Sequence, residues 1–476
     1  MAYKTDYETV IGLEVHAELK TDSKIFCACS TEFGAEPNTQ VCPVCLGLPG
    51  TLPVLNERVV ELAVRAGLAL NCTIADSVKQ DRKNYYYPDL PKAYQISQYD
   101  QPLCRCGYIE IETQNGKKKI GITRIHIEED AGKLFHKDGA TLIDHNRCGV
   151  PLIEIVSEPD IRSAAEAVAF LKKLRSILLY TGVSDGKMNE GSMRCDVNLS
   201  VRLFGEPLGV RCEMKNLNSF KFIEKAIEYE AGRQIEVIES GGAVLLETRR
   251  FDEDDCKTYS MRKKESQSDY RFFREPDLPE FSLSGEKIEK IRASVPALPD
   301  ERRRMYFDSY GIPYGDSEVL TDTPACADYF EKAASLTKYP KNAANLILSE
   351  IMGIAEAGDS FERIAPRNLA ALCDLMGDMT VNSATAKKLI RQMWEQDFDP
   401  KKKVEEEGLS QINDEDKILT FVLSAIEKSA KAVEDYKKGK ETAMKSIIGR
   451  AMGESRGQAN PSTVAAICER ELKKLL

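Results

Sequence analysis

The sequence predicts an α+β protein: a mainly antiparallel β-sheet cradle with flanking helices, then an all-α helical domain and a small all-α tail. Three observations carry that expectation. Short runs of alternating apolar and polar residues recur through the first 290 or so positions, and a period of two marks strands with one buried face. Long stretches with helical periodicity and capping signals lie between them. From Asp300 to about Gln396 the pattern turns almost wholly helical. At 476 residues the chain has room for roughly three domains of about 150 residues each. Their expected limits are 1–293 for the cradle, 294–405 for the helical domain and 406–476 for the tail.

The first strand, Val10–Leu19, sets Ile11, Leu13, Val15, Ala17 and Leu19 against Gly12, Glu14, His16 and Glu18. A second, Ile120–Glu129, places Arg124, His126 and Glu128 on one face, with Glu129 on the other unless a bulge intervenes. Ser163-Ala-Ala-Glu166 is a capping box that opens a helix, with Val168, Leu171, Leu174 and Leu178 on one side and Gly182 at its end. In a third strand, Arg194–Val201, Arg194, Asp196, Asn198 and Ser200 alternate with Cys195, Val197, Leu199 and Val201. A fourth, Val210–Lys215, aligns Arg211, Glu213 and Lys215. Another helix runs from Phe222 to Gly241. The stretch from Pro276 to Pro299 carries proline at both edges and reads as a junction. Beyond it, a Pro-Asp cap opens a helix that stops at Gly311. The charge block from Phe398 to Ser410 reads as a linker or a solvated face ahead of the helical tail.

Composition narrows the function. Hydrophobic residues at 42% and charged residues at 30% exclude a disordered or fibrous chain. No apolar run approaches the ~18 residues of a membrane span, and the N-terminus lacks the basic start and apolar stretch of a signal peptide. The expectation is a cytoplasmic protein without membrane contact. The net charge of −10, from 66 basic and 76 acidic residues, means that any nucleic-acid contact is local. Fourteen cysteines are too dilute for a disulfide scaffold, so the clustered ones point to metal or redox chemistry in a reducing compartment. No P-loop, GxGxxG, HExxH or GxSxG sits in proper context, which excludes ATP chemistry on a Walker scaffold.

If the four strands share a sheet, its polar face gathers Glu14, His16, Arg124, Glu128, Asp196, Asn198, Arg211, Glu213 and Lys215. Carboxylates with an imidazole and an amide suit Mg²⁺ or Mn²⁺, and interleaved cations suit phosphate oxygens. The plainer alternative is the solvent-facing side of an ordinary sheet. Cys27-x-Cys29, twelve residues, then Cys42-Pro-Val-Cys45 matches a four-thiolate zinc knuckle, structural because four thiolates leave no open position. Cys104 and Cys106 lack a partner pair. The loop from Arg82 to Lys92 mixes cations with aromatics and prolines, a pattern equally suited to gripping a nucleotide and to ordinary packing. In the tail, Lys428, Lys431, Lys437, Lys438, Lys440, Lys445, Arg450 and Arg456 form a local basic patch, or simply a solvated face.

Long motifs add a resemblance. VIGLEVHAEL (10–19), the loop and strand from Asp81 to Leu103, HIEEDAGK (126–133), the stretch from Asp144 to Asp160 and GSMRCDVNLSV (191–201) carry it in the first half. EMKNLNSF (213–220), ETRRFDE (247–253), YRFFREPDLP (270–279) and RGQANP (456–461) carry it onward. Together they resemble the B-subunit family of the GatCAB tRNA-dependent amidotransferases over essentially the whole chain. The resemblance implies an ATP- and Mg²⁺-dependent ligase that phosphorylates the side-chain carboxylate of glutamate or aspartate on a misacylated tRNA. Ammonia released from glutamine by an amidase-fold A subunit would displace the phosphate, with a small C subunit completing a heterotrimer. It also implies a tail that reads the tRNA elbow.

On the family's motifs, Glu14, His16, Glu128 and Glu129, with Glu154 nearby, are expected to hold Mg²⁺, while His126 is left out of the set. Asp196, Asn198, Arg211, Glu213, Lys215 and Asn216 are expected to line the ATP and acyl pocket, with Lys83 and Tyr85 touching phosphate and aminoacyl group. Structural Zn²⁺ on Cys27, Cys29, Cys42 and Cys45 would serve local folding. The rival reading is a non-catalytic, zinc-stapled tRNA-docking scaffold. The acidic sheet face speaks against it, because a docking surface for tRNA would be basic.

Overall fold

The computed structural model describes residues 6–263, 267–356, 359–438, 440, 442–455 and 457–475. The chain divides into two compact units, Met1–Leu298 and Pro299–Leu476.

The first unit is built on a nine-stranded sheet. Its strands are β1 (Tyr7–Glu18), β2 (Thr73–Ile74), β3 (Cys104–Thr113), β4 (Gly116–Glu129), β5 (Pro151–Ser157), β6 (Met193–Leu203), β7 (Cys212–Lys215), β8 (Glu247–Asp252) and β9 (Lys257–Lys263). Their order across the sheet is β9-β8-β7-β6-β1-β5-β4-β3-β2. Every neighbouring pair is antiparallel except β7 and β8. Alternation dictates which side each residue takes. Ile11, Leu13, Val15, Ile125, Ile127, Ile153, Ile155, Val197, Leu199 and Met214 are all buried in one core. Each such side chain contributes about 1.5–3 kcal/mol on burial, so a one-residue slip of any strand would forfeit a whole row of them.

Helices α1 (Glu57–Ala69), α2 (Ala164–Tyr180) and α3 (Phe220–Glu239) cover this apolar side. Helix α2 starts where the capping box places it: Ser163 Oγ accepts from the Glu166 amide at 3.2 Å. The Glu166 carboxylate accepts from the Arg162 amide at 2.8 Å, one residue earlier than a standard box. Gly182, at φ +65°, ends the helix in a left-handed conformation that suits glycine. Ala167, Phe170, Leu171, Leu174, Ile177 and Leu178 form its buried side, while Val168, expected among them, is only half-buried.

Other expectations need correction. The fourth strand begins at Cys212, leaving Arg211 exposed ahead of it. The proline-edged stretch 276–299 is not a bare junction: Phe281–Ser282 pairs with Ser77–Val78, and α4 (Gly285–Ala293) follows. Leu278, Leu283 and Ile291 anchor that stretch in the core of the first unit, because burying them outweighs the local preference for an open turn.

The second unit is helical, with two hydrophobic clusters. One centres on Tyr306, Tyr329, Phe330, Leu369 and Leu389. The other centres on Ile418, Val422, Ile447, Val464 and Ile467. Its first helix, Pro299–Tyr310, stops before Gly311 at φ +61°. The charge block is a helix, Pro400–Glu406, capped by Asp399, whose buried Val404 ties it to the first cluster. In the tail, Lys428 pairs with Glu454 and Lys440 with Asp435, whereas Arg456 lies outside the described residues. Among the described residues, no helix is long and apolar enough to cross a membrane.

Candidate functional site

The polar side of the sheet is organised in rows across the strands. His16 on β1 stands opposite Arg194 on β6 and Glu154 on β5, and Glu154 stands opposite His126 on β4. One row over, Glu14 stands opposite Asp196, and beyond it Asn198 stands opposite Glu213. This face is not a solvated surface. Glu128 is 2% exposed, His126 4% and Glu154 5%. Carboxylates are buried at such cost only when paired or coordinating, so the ordinary half-exposed sheet does not describe this arrangement.

At the centre, His16 Nε2 lies 3.2 Å from Glu128 Oε1 and 3.4 Å from Glu154 Oε2. His126 Nε2 lies 3.6 Å from Glu128 Oε2 and 3.4 Å from Glu154 Oε2. Two groups of potential cation ligands result: Glu14, His16 and Glu154, and His126, Glu128 and Glu154. Glu154 belongs to both. Ser97 Oγ donates to Glu128 Oε2 at 3.2 Å.

The charges interlock. Burial disfavours a charged His16, yet hydrogen bonds to Glu128 and Glu154 hold it well above its usual range. Burial also opposes charge on His126, but the Glu154 carboxylate leads the forces that raise it to about 9. Burial pushes Glu128 and Glu154 up, and the two imidazoles overcome that push and hold both acids below the usual carboxylate range. Glu14 is raised, by burial and then by the charge on Glu154. The acids therefore favour positive charge at this point, which protonated imidazoles can supply. A divalent cation would supply it with the same nitrogens neutral, and the oxygen-and-nitrogen donor set suits Mg²⁺. His126 Nδ1 is buried without a hydrogen-bond partner, as a ring placed by its Nε2 side alone would be.

Cations and aromatics wall the centre. Lys215 pairs with Asp196, and its Nζ lies 3.8 Å from Glu213 Oε1. Thr248 Oγ1 donates to Glu213 Oε2 at 2.8 Å. Lys83 sits on the strand Asp81–Asn84, in a small sheet with Tyr94–Ser97 and Phe273–Arg274. Its Nζ lies 5.1 Å from the ring centre of Tyr270 and 5.7 Å from that of Tyr85. Burial would lower the Lys83 pKa, but Glu128, Glu154 and Glu14 outweigh it and raise the ammonium above its usual value. Tyr85 and Tyr270 meet edge to face. Arg82 anchors this sheet through Glu275, at 2.6 and 2.8 Å.

Three expected residues lie elsewhere. The Glu129 carboxylate turns to the opposite side of β4, where it accepts from the Ile96 amide at 2.8 Å and pairs with Lys92. It joins neither ligand group. Arg211 stays outside the sheet. Asn216 adopts a left-handed backbone at φ +66°, and its amide donates to Phe251 O at 2.9 Å, a turn-fixing bond. Conversely, His126, excluded from the set by sequence reasoning, belongs to it by position. The alternation Arg124, His126, Glu128 already put it on the right face. Tyr270 and Ser97 lie within segments that carry the resemblance, but neither stands out there, because their distance from the site closes only in three dimensions.

A second centre lies in the loop after β1. One ligand atom from each of Cys27, Cys29, Cys42 and Cys45 falls within 4.8 Å of the others. The Cys42 amide donates to Cys45 Sγ at 3.1 Å. A hydrogen bond from Cys27 leads the influences that pull the Cys45 thiol down to about 4, assisted by nearby Lys24. Burial leads those that push Cys29 up to about 11. Tetrahedral zinc fits four such thiolates, and the fully buried Lys24, 3.7 Å from Cys45 Sγ, is the counter-charge that a thiolate cluster calls for. Cys104 is buried on β3 and Cys106 exposed, and neither joins a metal-capable group among the described residues.

Comparison with known proteins identifies the family. Residues 9–289 match the family described as the GatB/GatE catalytic domain, and residues 328–472 match the GatB domain. The B subunit of the aspartyl/glutamyl-tRNA(Asn/Gln) amidotransferase of Caldicellulosiruptor saccharolyticus is 55% identical over 99% of this chain and 100% of its own length. The protein of the same name from Caldanaerobacter subterraneus is 55% identical over 98% of this chain and 100% of its own length. That from Clostridium botulinum (strain Eklund 17B) is 50% identical over 98% of this chain and 100% of its own. The sheet that carries the buried acids and histidines is thus the matched catalytic domain, and the chain belongs to the GatB family of amidotransferase B subunits.

Proposed function

We propose that this protein phosphorylates the side-chain carboxylate of glutamate or aspartate on a misacylated tRNA, using ATP, and then delivers the activated acyl group to ammonia. A free carboxylate is a poor acyl donor because oxide is a hopeless leaving group, whereas phosphate leaves readily. The observation that carries the reading is the pair of buried carboxylate–imidazole groups sharing Glu154, on a face walled by Lys83 and Lys215. Glu14, His16, His126, Glu128 and Glu154 would hold Mg²⁺. When bound, that ion supplies neutralising charge for phosphate oxygens.

The chain's own side chains do the rest. Lys215, oriented by Asp196, and Lys83, held between two tyrosines, bind and align phosphate oxygens with donors already in place. Asn198 and Glu213, adjacent across β6 and β7, border the same pocket. Tyr85 and Tyr270 flank the aminoacyl end and keep bulk water away from the reactive mixed anhydride. In the second step the ammonia lone pair forms the C–N bond. The C–O bond to phosphate breaks, and phosphate leaves with the electron pair and takes up the proton that the nitrogen sheds. Ammonia comes from glutamine hydrolysed by an amidase A subunit, within a cytoplasmic heterotrimer completed by a small C subunit. Zinc on Cys27, Cys29, Cys42 and Cys45 serves folding, and the basic tail helices touch the tRNA.

The test uses the purified heterotrimer with misacylated tRNA and γ-³²P-ATP, omitting glutamine. A labelled acyl phosphate on the tRNA is expected. Intact tRNA binding with no label would overturn the reading and favour the docking scaffold.

A further inference from the structure

We propose that Lys24 is a built part of the thiolate centre: its ammonium offsets the surplus negative charge of the zinc-bound thiolates and makes the centre a clasp on a neighbouring β-hairpin. The inference rests on the reading of the four thiolates as a zinc site. Lys24 is 0% exposed, a place where lysine is rarely found without a partner. Its Nζ meets three acceptors: Gln40 O at 2.8 Å, His145 O at 3.4 Å and Cys45 Sγ at 3.7 Å. An ammonium has three N–H donors, so all of them are used. Gln40 belongs to the loop between the cysteine pairs, and His145 directly follows the hairpin formed by Lys133–Lys137 and Ala140–Asp144. One nitrogen atom therefore joins the thiolates, their loop and the base of the hairpin.

The same seam is stitched elsewhere. Asn38, in a left-handed conformation at φ 61°, donates from its amide nitrogen to Asp144 Oδ1 at 3.0 Å and from its side chain to Ile143 O at 3.0 Å. Its side-chain oxygen accepts from the His145 amide at 2.8 Å. The Gln40 amide donates to Asn146 Oδ1 at 2.8 Å, and Asn146 Nδ2 donates to Glu36 O at 2.7 Å. The loop that the metal would order is thus the loop that grips the hairpin.

Four thiolates outweigh the charge of one divalent cation, and a buried negative excess is costly unless a cation stands beside it. With the metal gone, part of the thiolate charge is lost to protonation, and the buried ammonium loses that part of its compensation. Each group thus favours the other, and the coupling is reciprocal.

The full chain is purified as wild type, Lys24→Met and Lys24→Arg, and zinc affinity is measured by competition with a chromogenic chelator. Lys24→Met is expected to bind zinc about tenfold or more weakly, the range for groups that support metal ligands, while Lys24→Arg stays within about threefold of wild type. Equal affinity in Lys24→Met and wild type overturns the proposal, as does equal weakening in both variants, which would mark a packing effect. Should Lys24→Met not fold, hydrogen exchange on wild type decides. Removing zinc is expected to speed exchange across residues 133–148, and unchanged exchange there overturns the clasp. A wild-type chain that takes up no zinc would instead defeat the underlying reading of the thiolates.

Discussion

The thiolate cluster takes all its ligands from one loop, Cys27 to Cys45, whereas the carboxylate–imidazole centre takes its own from positions 14, 16, 126, 128 and 154 on three strands. The first needs little more than two turns brought together, and an ion bound there adds its energy to local folding. The second exists only once β1, β5 and β4 have paired in register, and it concentrates acids that repel one another unless a cation or protonated histidine intervenes. The difference separates a centre whose ion would help build the fold from one that the fold must build.

That contrast is most severely tested at Glu154. Glu154→Gln removes the ligand common to both groups, so acyl-phosphate formation is expected to fall by about 100-fold or more, with tRNA binding in a filter assay unchanged. A variant that still forms the acyl phosphate at the wild-type rate would break the comparison. Cys42→Ser is the reciprocal experiment. It should lower the melting temperature by roughly 5 °C, corresponding to about 2 kcal/mol, while the phosphorylation rate of the folded enzyme stays near wild type.

Acidity sharpens the contrast further. In the magnesium-free chain the folded-state pKa of His126 is raised to about 9, above an unfolded value of about 6.5. Its stabilising contribution is therefore fully present below pH ~6.5 and lost as the pH rises through about 9. Urea unfolding in the presence of EDTA should show that loss, and Mg²⁺ should reduce it, because metal binding needs the neutral ring. The smallest effect is expected from Ser163→Ala, which removes the cap of α2 at about 1 kcal/mol and leaves the chemistry of both centres unchanged. A change in phosphorylation rate would show that the apolar side of the sheet is not separable from its polar side.

Much of the molecule is legible from local pattern. The alternation at Val10–Leu19 and Arg194–Val201, the Ser163 cap and the stop at Gly311 depend on near neighbours in the chain, and all recur in the structure. No such pattern marks β5, because Pro151–Ser157 is buried on both sides and lacks the exposed polar stripe of a half-wet strand. Motif matching leaves out His126 although the period of two places that residue beside Glu128, and it puts Glu129 among the magnesium ligands although the same period points it away. In both cases alternation is the better guide to position.

Residue order alone thus settled the strand faces, the start of α2, the stop at Gly311 and the spacing of the thiolates, since each follows from backbone geometry over a few residues. Only tertiary structure decided that β5 would lie between β1 and β4, setting Glu154 between His16 and His126. Strand order is chosen by packing between distant segments, and no local period encodes it. The same packing buried these acids beside Lys83, turning a row of polar positions into a place that favours positive charge.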